Sequence, residues 1–278
     1  MYPTSLVDAL VVGGGPAGLS AALAFARQGQ TAVIFDSGKY RNAATNFMHL
    51  IPALDHVAPI KFRDDAKAGI TDRYNGVTIE AAEIKAARQT ESGTFEVGDA
   101  SGRTWTGRKM ILATGVKDMF PDIPGYDTSL HIARQASALS TVVTIYTNGS
   151  ETLSTDIVSS FGTTKQMKVD SRAIKGFALG PDDKGVVIHF HDGSETLEPY
   201  LAHQPRTKSN SEVADLLGLE KSPNGEVKIS QPFQQTSLRG VFAGGDNCAM
   251  LKNVPNAIFA GHVAGQMAST QLLADING

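Results

Sequence analysis

The sequence predicts an α/β protein of the Rossmann type, with a parallel sheet between two layers of helices, on three observations. A short apolar segment, Val7–Val12, is followed by a glycine-rich turn and a helical pattern that Gly29 ends. A second apolar segment, Thr31–Phe35, closes on an acidic residue. Two further apolar segments, Lys109–Ala113 and Val241–Ala243, each lead into a motif that contains glycine. The first two observations place strand, turn, helix and strand within about 30 residues, which is one βαβ unit.

The remaining patterns add shorter elements to this framework. Hydrophobic periodicity and turn residues predict each of these shorter elements. They are a helix over Lys61–Ile70, a strand at Val77–Glu80, a hairpin of Phe95–Val97 and Trp105–Thr106, a helix over Leu130–Leu139, a strand at Thr141–Tyr146, a helix over Leu153–Phe161, strands near Ala173–Ala178 and Val186–His191, and a last helix over Pro255–Leu273.

Proline and glycine mark where the chain leaves the first domain. Pro121, Pro124 and Gly125 lie close together and predict a linker. After Glu198 the pattern returns to that of the first domain. We therefore predict three segments: residues 1–123 and 199–278 form one domain, and residues 124–198 are inserted in it.

Composition excludes several classes of protein. The 278 residues are 41% hydrophobic and 19% charged, with a net charge of -3 and no cluster of Lys and Arg. Binding of nucleic acid needs such a cluster to neutralise phosphates, so no nucleic-acid partner is expected. No uninterrupted apolar run reaches about 18 residues, so no membrane span is expected. Ala9–Phe25 is apolar, but it lacks a basic start and is broken by glycines. A soluble, cytoplasmic protein is the default.

The strongest motif is the run Gly13-Gly14-Gly15-Pro16-Ala17-Gly18. In a dinucleotide-binding turn the first glycine allows the tight turn, the second lets backbone approach a pyrophosphate, and the third lets helix pack on strand. The helix start offers free N–H groups to the phosphates. Asp36 follows Gly13 by 23 residues, where a carboxylate can accept hydrogen bonds from a ribose.

Three weaker motifs come later in the chain, and the first two of them directly follow buried segments. They are Ala113-Thr114-Gly115, Gly244-Gly245-Asp246 and Val254-Pro255-Asn256-Ala257. An aspartate in the second could accept a hydrogen bond from a ribityl hydroxyl, beside glycines that let the chain pass close to a cofactor. The third begins the last helix, whose positive end would stabilise negative charge on a reduced flavin.

Together the four motifs resemble the FAD domain of the thioredoxin reductase-like flavoproteins, in the pyridine nucleotide–disulfide oxidoreductase superfamily. Tyr40-Arg41-Asn42, His49 and residues 112–124 strengthen a likeness to its fungal branch associated with secondary metabolism. Members are commonly dimers, so a homodimer is compatible with the resemblance. The residues that it implies around FAD are Gly13, Gly15, Pro16, Ala17, Gly18, Asp36, Ser37, Arg41, Asn42, Thr114, Gly115, Gly245, Asp246, Asn256 and Ala257.

The sequence departs from that family in its middle. The resemblance implies a second glycine-rich turn for NADPH and a CxxC pair that exchanges electrons with the flavin. Both should lie between Tyr126 and His131, where only four residues stand, and the chain has one cysteine, Cys248. We therefore expect a Rossmann-type three-layer FAD/NAD(P)-binding fold with an inserted, truncated second nucleotide-binding-like domain. Neither a dithiol relay nor a conventional NADPH site is expected.

Single residues outside the motifs have two interpretations each. Cys248 could be a thiol near the flavin, but a small buried hydrophobe is favoured. His49 and His56 could act as a base toward a small substrate, although ordinary surface histidines are favoured. His189 and His191 share a strand face without an evident third ligand, so no metal site is expected.

Three hypotheses for function follow. The first is an FAD-dependent oxidoreductase that acts on a small organic molecule and passes electrons to oxygen or another external acceptor. The second is a non-catalytic FAD-binding remnant, or a splice or gene-model variant of a disulfide reductase. The third keeps NADPH binding in a rearranged site. Disulfide reductase activity is expected to be absent.

Overall fold

The structure is a computed structural model that describes residues 6–119, 126–161 and 166–278, with only the backbone for 126–129. Its backbone contacts divide the chain into two compact units. Unit 1 comprises Met1–Lys117 and Lys208–Gly278, and unit 2 comprises Asp118–Thr207. The return to unit 1 is thus nine residues later than the predicted boundary at 198. The predicted linker at Pro121, Pro124 and Gly125 lies outside the described residues.

Unit 1 contains one large sheet, three helices of 12, 13 and 24 residues and one short helix. Its strands are β1 (Val7–Val12), β2 (Ala32–Phe35), β3 (Val77–Glu80), β4 (Ile84–Gln89), β5 (Phe95–Asp99), β6 (Thr104–Leu112), β7 (Val116–Asp118), β13 (Thr207–Ser209) and β14 (Val241–Ala243), and its helices are α1 (Pro16–Arg27), α2 (Pro59–Thr71), α5 (Val213–Leu216) and α6 (Val254–Asn277). The strands β7 and β13 run across the two boundaries of the unit and pair with each other.

The sheet of unit 1 has seven strands. They run in the order β3-β2-β1-β6-β5-β4, with β14 also paired to β6. The pairs among β3, β2, β1, β6 and β14 are parallel, whereas β5 pairs antiparallel with β6 and β4. The strand β1 therefore lies between two parallel neighbours. The turn that follows β1 lies at the carboxyl edge of these strands.

The two faces of the sheet are buried against different elements, because successive side chains of a strand point to opposite faces. Ala9 and Val11 belong to a core cluster with residues of α1 and α6, whereas Leu10 and Val12 belong to a second cluster with residues of β5 and α5. All four side chains are buried. This burial on both faces explains why β1 reads as a continuous apolar run.

Unit 2 has two small sheets among its described residues. Its elements are α3 (Tyr126–Ser137), β8 (Val143–Tyr146), α4 (Glu151–Phe161), β9 (Met167–Asp170), β10 (Ile174–Leu179), β11 (Val186–Phe190) and β12 (Glu195–Glu198). The strands β8 and β9 form a parallel pair, and β10, β11 and β12 form an antiparallel sheet. A small core joins Leu130, Ala133, Ile145 and Ile157.

The predicted elements agree with this structure in most places. The strands Val77–Glu80 and Val241–Ala243 are confirmed at both ends. The segments Trp105–Thr106 and Lys109–Ala113 belong to one strand, β6, which ends one residue before Ala113. Its first half pairs with β5, whereas its second half pairs with β1 and β14. The strands β4, β9 and β12 escaped prediction since they are short or charged and lack an apolar run. Within the described ranges, no helix has the length and apolar character needed to cross a bilayer.

Candidate functional site

Three of the four motifs, together with Asp36, follow strands that end in one row of the sheet in unit 1. Val12 of β1 pairs with Phe35 of β2 and with Leu112 of β6, and Leu112 pairs with Ala243 of β14. The glycine turn, Asp36, Ala113-Thr114-Gly115 and Gly244-Gly245-Asp246 come directly after these residues. They therefore share the carboxyl edge of the parallel strands, where ligands bind in open α/β sheets.

The glycine turn has the geometry that the sequence predicts. Gly13 has φ +125°, a backbone conformation that L side chains rarely adopt. A Cβ on Gly18 would lie 1.8 Å from the carbonyl oxygen of Gly13. A Cβ on Gly14, which the sequence did not single out, would lie 2.3 Å from Cγ of Asp36. Three glycines are thus required. A side chain would strain the backbone at Gly13, would collide with Asp36 at Gly14, and would collide with the turn itself at Gly18.

Gly15 differs from these three, because a Cβ there would meet no atom within 4 Å. It is the N-cap of α1, and no side chain accepts a hydrogen bond from the first turn of that helix. The first-turn backbone N–H groups of α1 therefore have no side-chain partner at the positive end of the helix dipole. The room at Gly15 and the uncapped helix fit a pyrophosphate, which is the part of FAD assigned to them.

Asp36 is buried and held by three donors. Its Oδ1 accepts a hydrogen bond from the Gly38 N–H at 2.9 Å, and its Oδ2 accepts one from the Tyr40 hydroxyl at 2.5 Å. Nζ of Lys67 on α2 lies 2.6 Å from the same Oδ2. Burial raises the pKa of Asp36, but these hydrogen bonds outweigh it, so the pKa lies below its usual value. The carboxylate is ionised and oriented, as a ribose acceptor requires.

The neighbours of Asp36 form a wider network that the sequence did not reveal. The guanidinium of Arg63 stacks on the Tyr40 ring, 3.8 Å from its centroid, and donates a hydrogen bond to Oδ1 of Asn42 at 3.0 Å. Arg63 is buried and, like Lys67, comes from α2. A single sequence offers no signal for these contacts, because α2 reads as an ordinary amphipathic helix with exposed charges.

Gly244 and Gly245 provide close packing between helices and strand. A Cβ on Gly244 would lie 3.0 Å from the carbonyl oxygen of Ala260 on α6, and one on Gly245, at φ +88°, would lie 2.8 Å from Cβ of Ala17. The sequence suggests that these glycines let the chain approach a cofactor, whereas the structure gives them a packing reason. Asp246 pairs with Arg41, with 3.1 Å between Nη1 and Oδ2.

The helix α6 begins at a side-chain cap. Oδ1 of Asn253 accepts a hydrogen bond from the Asn256 N–H at 2.8 Å, and Pro255 occupies the first turn. Nδ2 of Asn256 donates to the carbonyl oxygen of Leu251 at 2.8 Å. Asn253 was missed by the sequence analysis, although Asn two residues before Pro is a recognisable N-cap signal. Ala257 packs with Ala17 and Ala113 in a small cluster.

The other predicted contacts with FAD lie at the same edge. Ser37 follows Asp36 directly, and its Oγ accepts a hydrogen bond from the Lys39 N–H at 3.4 Å. The carbonyl oxygens of Thr114 and Gly115 accept hydrogen bonds from the side chain and backbone of Asn210, at 3.4 and 3.3 Å. Pro16 starts α1. The assignment of these residues to FAD stays a prediction.

Cys248 lies behind the aspartate motif in an unreactive setting. Its Sγ is 3.4 Å from the carbonyl oxygen of Gly245 and 3.8 Å from Oε1 of Gln234. Burial, and then the carboxylates of Asp246 and Glu226, raise the pKa of the thiol to about 12. Its residue packs at the edge of the core cluster that contains Leu112. Cys248 is half-buried by surface area, so it comes close to the small buried hydrophobe that the sequence favours without being fully buried.

The structure brings His49 and His56 together around an aspartate that the sequence analysis missed. Nδ1 of His56 lies 2.8 Å from Oδ2 of Asp55, and Nδ1 of His49 lies 3.5 Å from Oδ1 of the same carboxylate. The two rings meet edge to face, with 4.6 Å between centroids. The His56 hydrogen bond holds the pKa of Asp55 below its usual value. Adjacent Asp and His were the available sequence signal.

His189 and His191 have no such arrangement. Nδ1 of His189 lies 2.8 Å from Oε1 of Glu195 on the paired strand β12. His191 lies beyond the end of β11. Among the described residues, the group of His49, Asp55 and His56 is the one set of three or more potential metal ligands that lie close together.

Comparison with known proteins identifies the family. The sequence model of the pyridine nucleotide-disulphide oxidoreductase family matches residues 7–145. The chain is 56% identical to thioredoxin reductase tcpT of Claviceps purpurea, over 100% of this chain and 98% of the relative, and 34% identical to thioredoxin reductase sirT of Leptosphaeria maculans, over 97% and 95%. An oxidoreductase from Agrobacterium tumefaciens has the same fold, with a TM-score of 0.81, 24% identity and coverage of 97% and 99%.

The alignments also carry information about length. The match to the Claviceps purpurea relative spans 314 positions, 36 more than the 278 residues of this chain. At least 36 residues of that relative therefore face gaps here. The family model and the two fungal relatives show that the chain belongs to the pyridine nucleotide-disulphide oxidoreductase family, among the thioredoxin reductase-like fungal proteins. It is an FAD-dependent oxidoreductase.

Proposed function

We propose that this protein oxidises or reduces a small organic metabolite with FAD, without a dithiol relay and without a conventional NADPH site. The observation that carries the proposal is the state of Cys248, the one cysteine of the chain. A relay needs a thiolate and a second, resolving thiol within reach. Cys248 has neither, because the sequence supplies no second thiol and its own pKa is raised to about 12.

The architecture of unit 2 supports the loss of the NADPH site. A phosphate-binding turn needs a first strand beside the second strand of its sheet. The parallel sheet of unit 2 contains β8 and β9 alone among the described strands. Since the family places a strand and a glycine turn before α3, the 36 gapped positions are best assigned to that strand and turn. The predicted block between Tyr126 and His131 would account for them.

Unit 1 contains groups that suit FAD. The open position at Gly15 and the uncapped start of α1 would hold the pyrophosphate, and the oriented carboxylate of Asp36 would hold the ribose. When bound, FAD supplies the two-electron chemistry. Without a nicotinamide or a dithiol, the reducing equivalents pass to oxygen or another external acceptor.

The proton acceptor in this proposal is the pair of histidines around Asp55. The carboxylate of Asp55 lies 2.8 Å from Nδ1 of His56, and in the tautomer that donates from Nδ1 the proton acceptor is Nε2. The His56 side chain is 69% exposed, so a small substrate could reach it.

We also infer, from the family resemblance, a homodimer in the cytoplasm with a role in secondary metabolism.

The test is an anaerobic titration of the purified flavoprotein with NADPH, followed by the flavin absorption band. We expect the flavin to stay oxidised at several equivalents of NADPH, and no reduction of an aromatic disulfide. The Claviceps purpurea relative, treated identically, provides the comparison. Bleaching by stoichiometric NADPH would overturn the proposal and favour the rearranged NADPH site. Screening small metabolites for anaerobic bleaching then identifies the substrate class.

A second candidate function is FAD binding without turnover, as in a remnant or a splice or gene-model variant of a disulfide reductase. The 36 gapped positions favour it, because loss of a strand there would leave β8 with the single described neighbour that it has. Sequencing of transcripts distinguishes a remnant from a splice or gene-model variant. A transcript that restores a CxxC pair and a second glycine turn between Tyr126 and His131 would establish the variant. Failure of every tested metabolite to bleach the flavin would favour the remnant.

A further inference from the structure

We propose that His49, Asp55 and His56 form a binding site for a divalent first-row transition metal such as Zn²⁺. The three residues lie on the loop between β2 and α2. One potential ligand atom from each lies within 4.8 Å of the other two. The proposal concerns metal binding and not turnover, and it uses the same histidines that the proposed function assigns to proton transfer. Calorimetry with Zn²⁺ and bleaching of the flavin test the two separately.

The backbone of the loop brings the three side chains together. The Met48 N–H donates to the carbonyl oxygen of Val57 at 2.8 Å, and the His56 N–H donates to that of Met48 at 2.9 Å. Met48 is buried, so it anchors the loop in the protein. Oδ1 of Asp55 accepts a further hydrogen bond from the Leu50 N–H at 3.0 Å. Hydrogen bonds thus hold the backbone at Met48, His56 and Val57, and the carboxylate of Asp55, in place without a metal.

The distances are close to those of a metal site. Zn²⁺ binds imidazole nitrogen and carboxylate oxygen at about 2.0–2.2 Å, so neighbouring ligand atoms in a tetrahedral site lie about 3.4 Å apart. Nδ1 of His56 and Nδ1 of His49 lie 2.8 and 3.5 Å from the two oxygens of Asp55. The contact between His56 and Asp55 is shorter than this spacing, so His56 would move away from Asp55 by about 0.6 Å to admit a metal.

The ligand set indicates the kind of metal. Two imidazoles and one carboxylate suit zinc, copper, nickel and iron, whereas calcium and magnesium prefer oxygen ligands. The side chains of His49, Asp55 and His56 are 54%, 54% and 69% exposed, so a metal could reach them and keep water as a fourth ligand. The site therefore resembles an open, exchangeable site more than a closed structural one.

The experiment is calorimetric titration of untagged, chelator-washed flavoprotein with Zn²⁺, since a histidine tag would itself bind the metal. We expect one Zn²⁺ per chain with a Kd on the order of 10 µM. His49→Ala, His56→Ala and Asp55→Asn should each weaken binding at least about 10-fold. His189→Ala, which removes another histidine paired with a carboxylate, should leave the Kd unchanged.

Two results would overturn the site. One is absence of binding up to about 1 mM Zn²⁺, which would leave a hydrogen-bonded cluster without a metal. The other is binding that persists in the double variant His49→Ala/His56→Ala. Far-UV circular dichroism and the ratio of FAD to protein show whether each variant is folded. If a single variant does not fold, His56→Gln, which keeps a polar side chain of similar size, replaces it in the comparison.

Discussion

The two units of this chain show what a nucleotide site needs from its sheet. In unit 1, β1 lies between β2 and β6, and its turn begins at Gly13 with φ +125°. In unit 2, β8 has β9 as its one described strand neighbour, and its turn contains Gly149 with φ +86°. Both units thus have a parallel strand that leads into a glycine turn.

The difference lies in what surrounds each turn. Gly13 is followed by an uncapped helix start and open space at Gly15. The turn after β8 is instead tied to the next strands, because Oδ1 of Asn148 accepts a hydrogen bond from the Ile174 N–H at 2.7 Å and the Gly149 N–H donates to Ser171. A glycine turn becomes a phosphate site only where a free helix N-terminus follows it.

Thiol chemistry gives the largest expected effect. Because the pKa of Cys248 is about 12 instead of 9.0, the thiolate fraction at pH 8 should be about 1000-fold lower than in the unfolded chain. We expect an aromatic disulfide reagent to label the native protein at least about 100-fold more slowly than the protein in denaturant. Stopped-flow and manual absorbance traces measure both rates. Rapid labelling of the native protein would make Cys248 a reactive thiol and reopen thiol chemistry in unit 1.

The glycine turns allow a matched pair of substitutions. Gly15→Val should lower FAD affinity at least about 100-fold, or about 3 kcal/mol, because its side chain enters the space assigned to the pyrophosphate. Its extended backbone and open surroundings predict an unchanged fold. Gly149→Ala in unit 2 should leave FAD affinity unchanged while its positive φ destabilises the protein by about 1 kcal/mol. Equilibrium dialysis with FAD and thermal unfolding test both. Equal losses of FAD in the two variants would contradict the comparison.

Hydrogen exchange compares the strands themselves. The amides of β1 are buried between two parallel neighbours, whereas unit 2 has a small core and exposed apolar side chains such as Leu139 and Val158. We expect amides of β8 to exchange about 10- to 100-fold faster than those of β1, through local opening of unit 2. Mass spectrometry of peptides covering both strands measures the ratio. Equal protection would indicate that the edge of β8 is covered in solution.

The sequence predicted the parts of the structure that depend on local pattern. Continuous apolar runs identified β1, β2 and β14 because these strands are buried on both faces, and glycine spacing located the turn at Gly13. Contacts between distant segments were beyond reach. Lys67 approaches Asp36 across 31 positions of sequence, and Asp55 approaches His49 only because backbone hydrogen bonds close their loop. Such pairs depend on tertiary structure and leave no periodic signal.

Lys67 provides the last and smallest effect, since it tests whether the carboxylate of the site also stabilises unit 1. Lys67→Gln removes the partner of a buried charge, and the pair is partly exposed at Lys67, so we expect a loss of about 1–2 kcal/mol in the free energy of unfolding at pH 7.

The pH dependence of that loss follows from the direction of the pKa shift. The pKa of Asp36 lies below 3.8 in the folded protein, so its contribution is complete above about pH 4 and disappears as pH falls through the folded pKa. The difference between wild type and Lys67→Gln should therefore be constant from about pH 5 to 8 and shrink in stronger acid. Urea unfolding with constant excess FAD measures it. Lys61→Gln on the same helix, which breaks an exposed pair with Asp65, should cost less than about 0.5 kcal/mol. If the two variants lose equal stability, Asp36 is held by Tyr40 and Gly38 and not by Lys67.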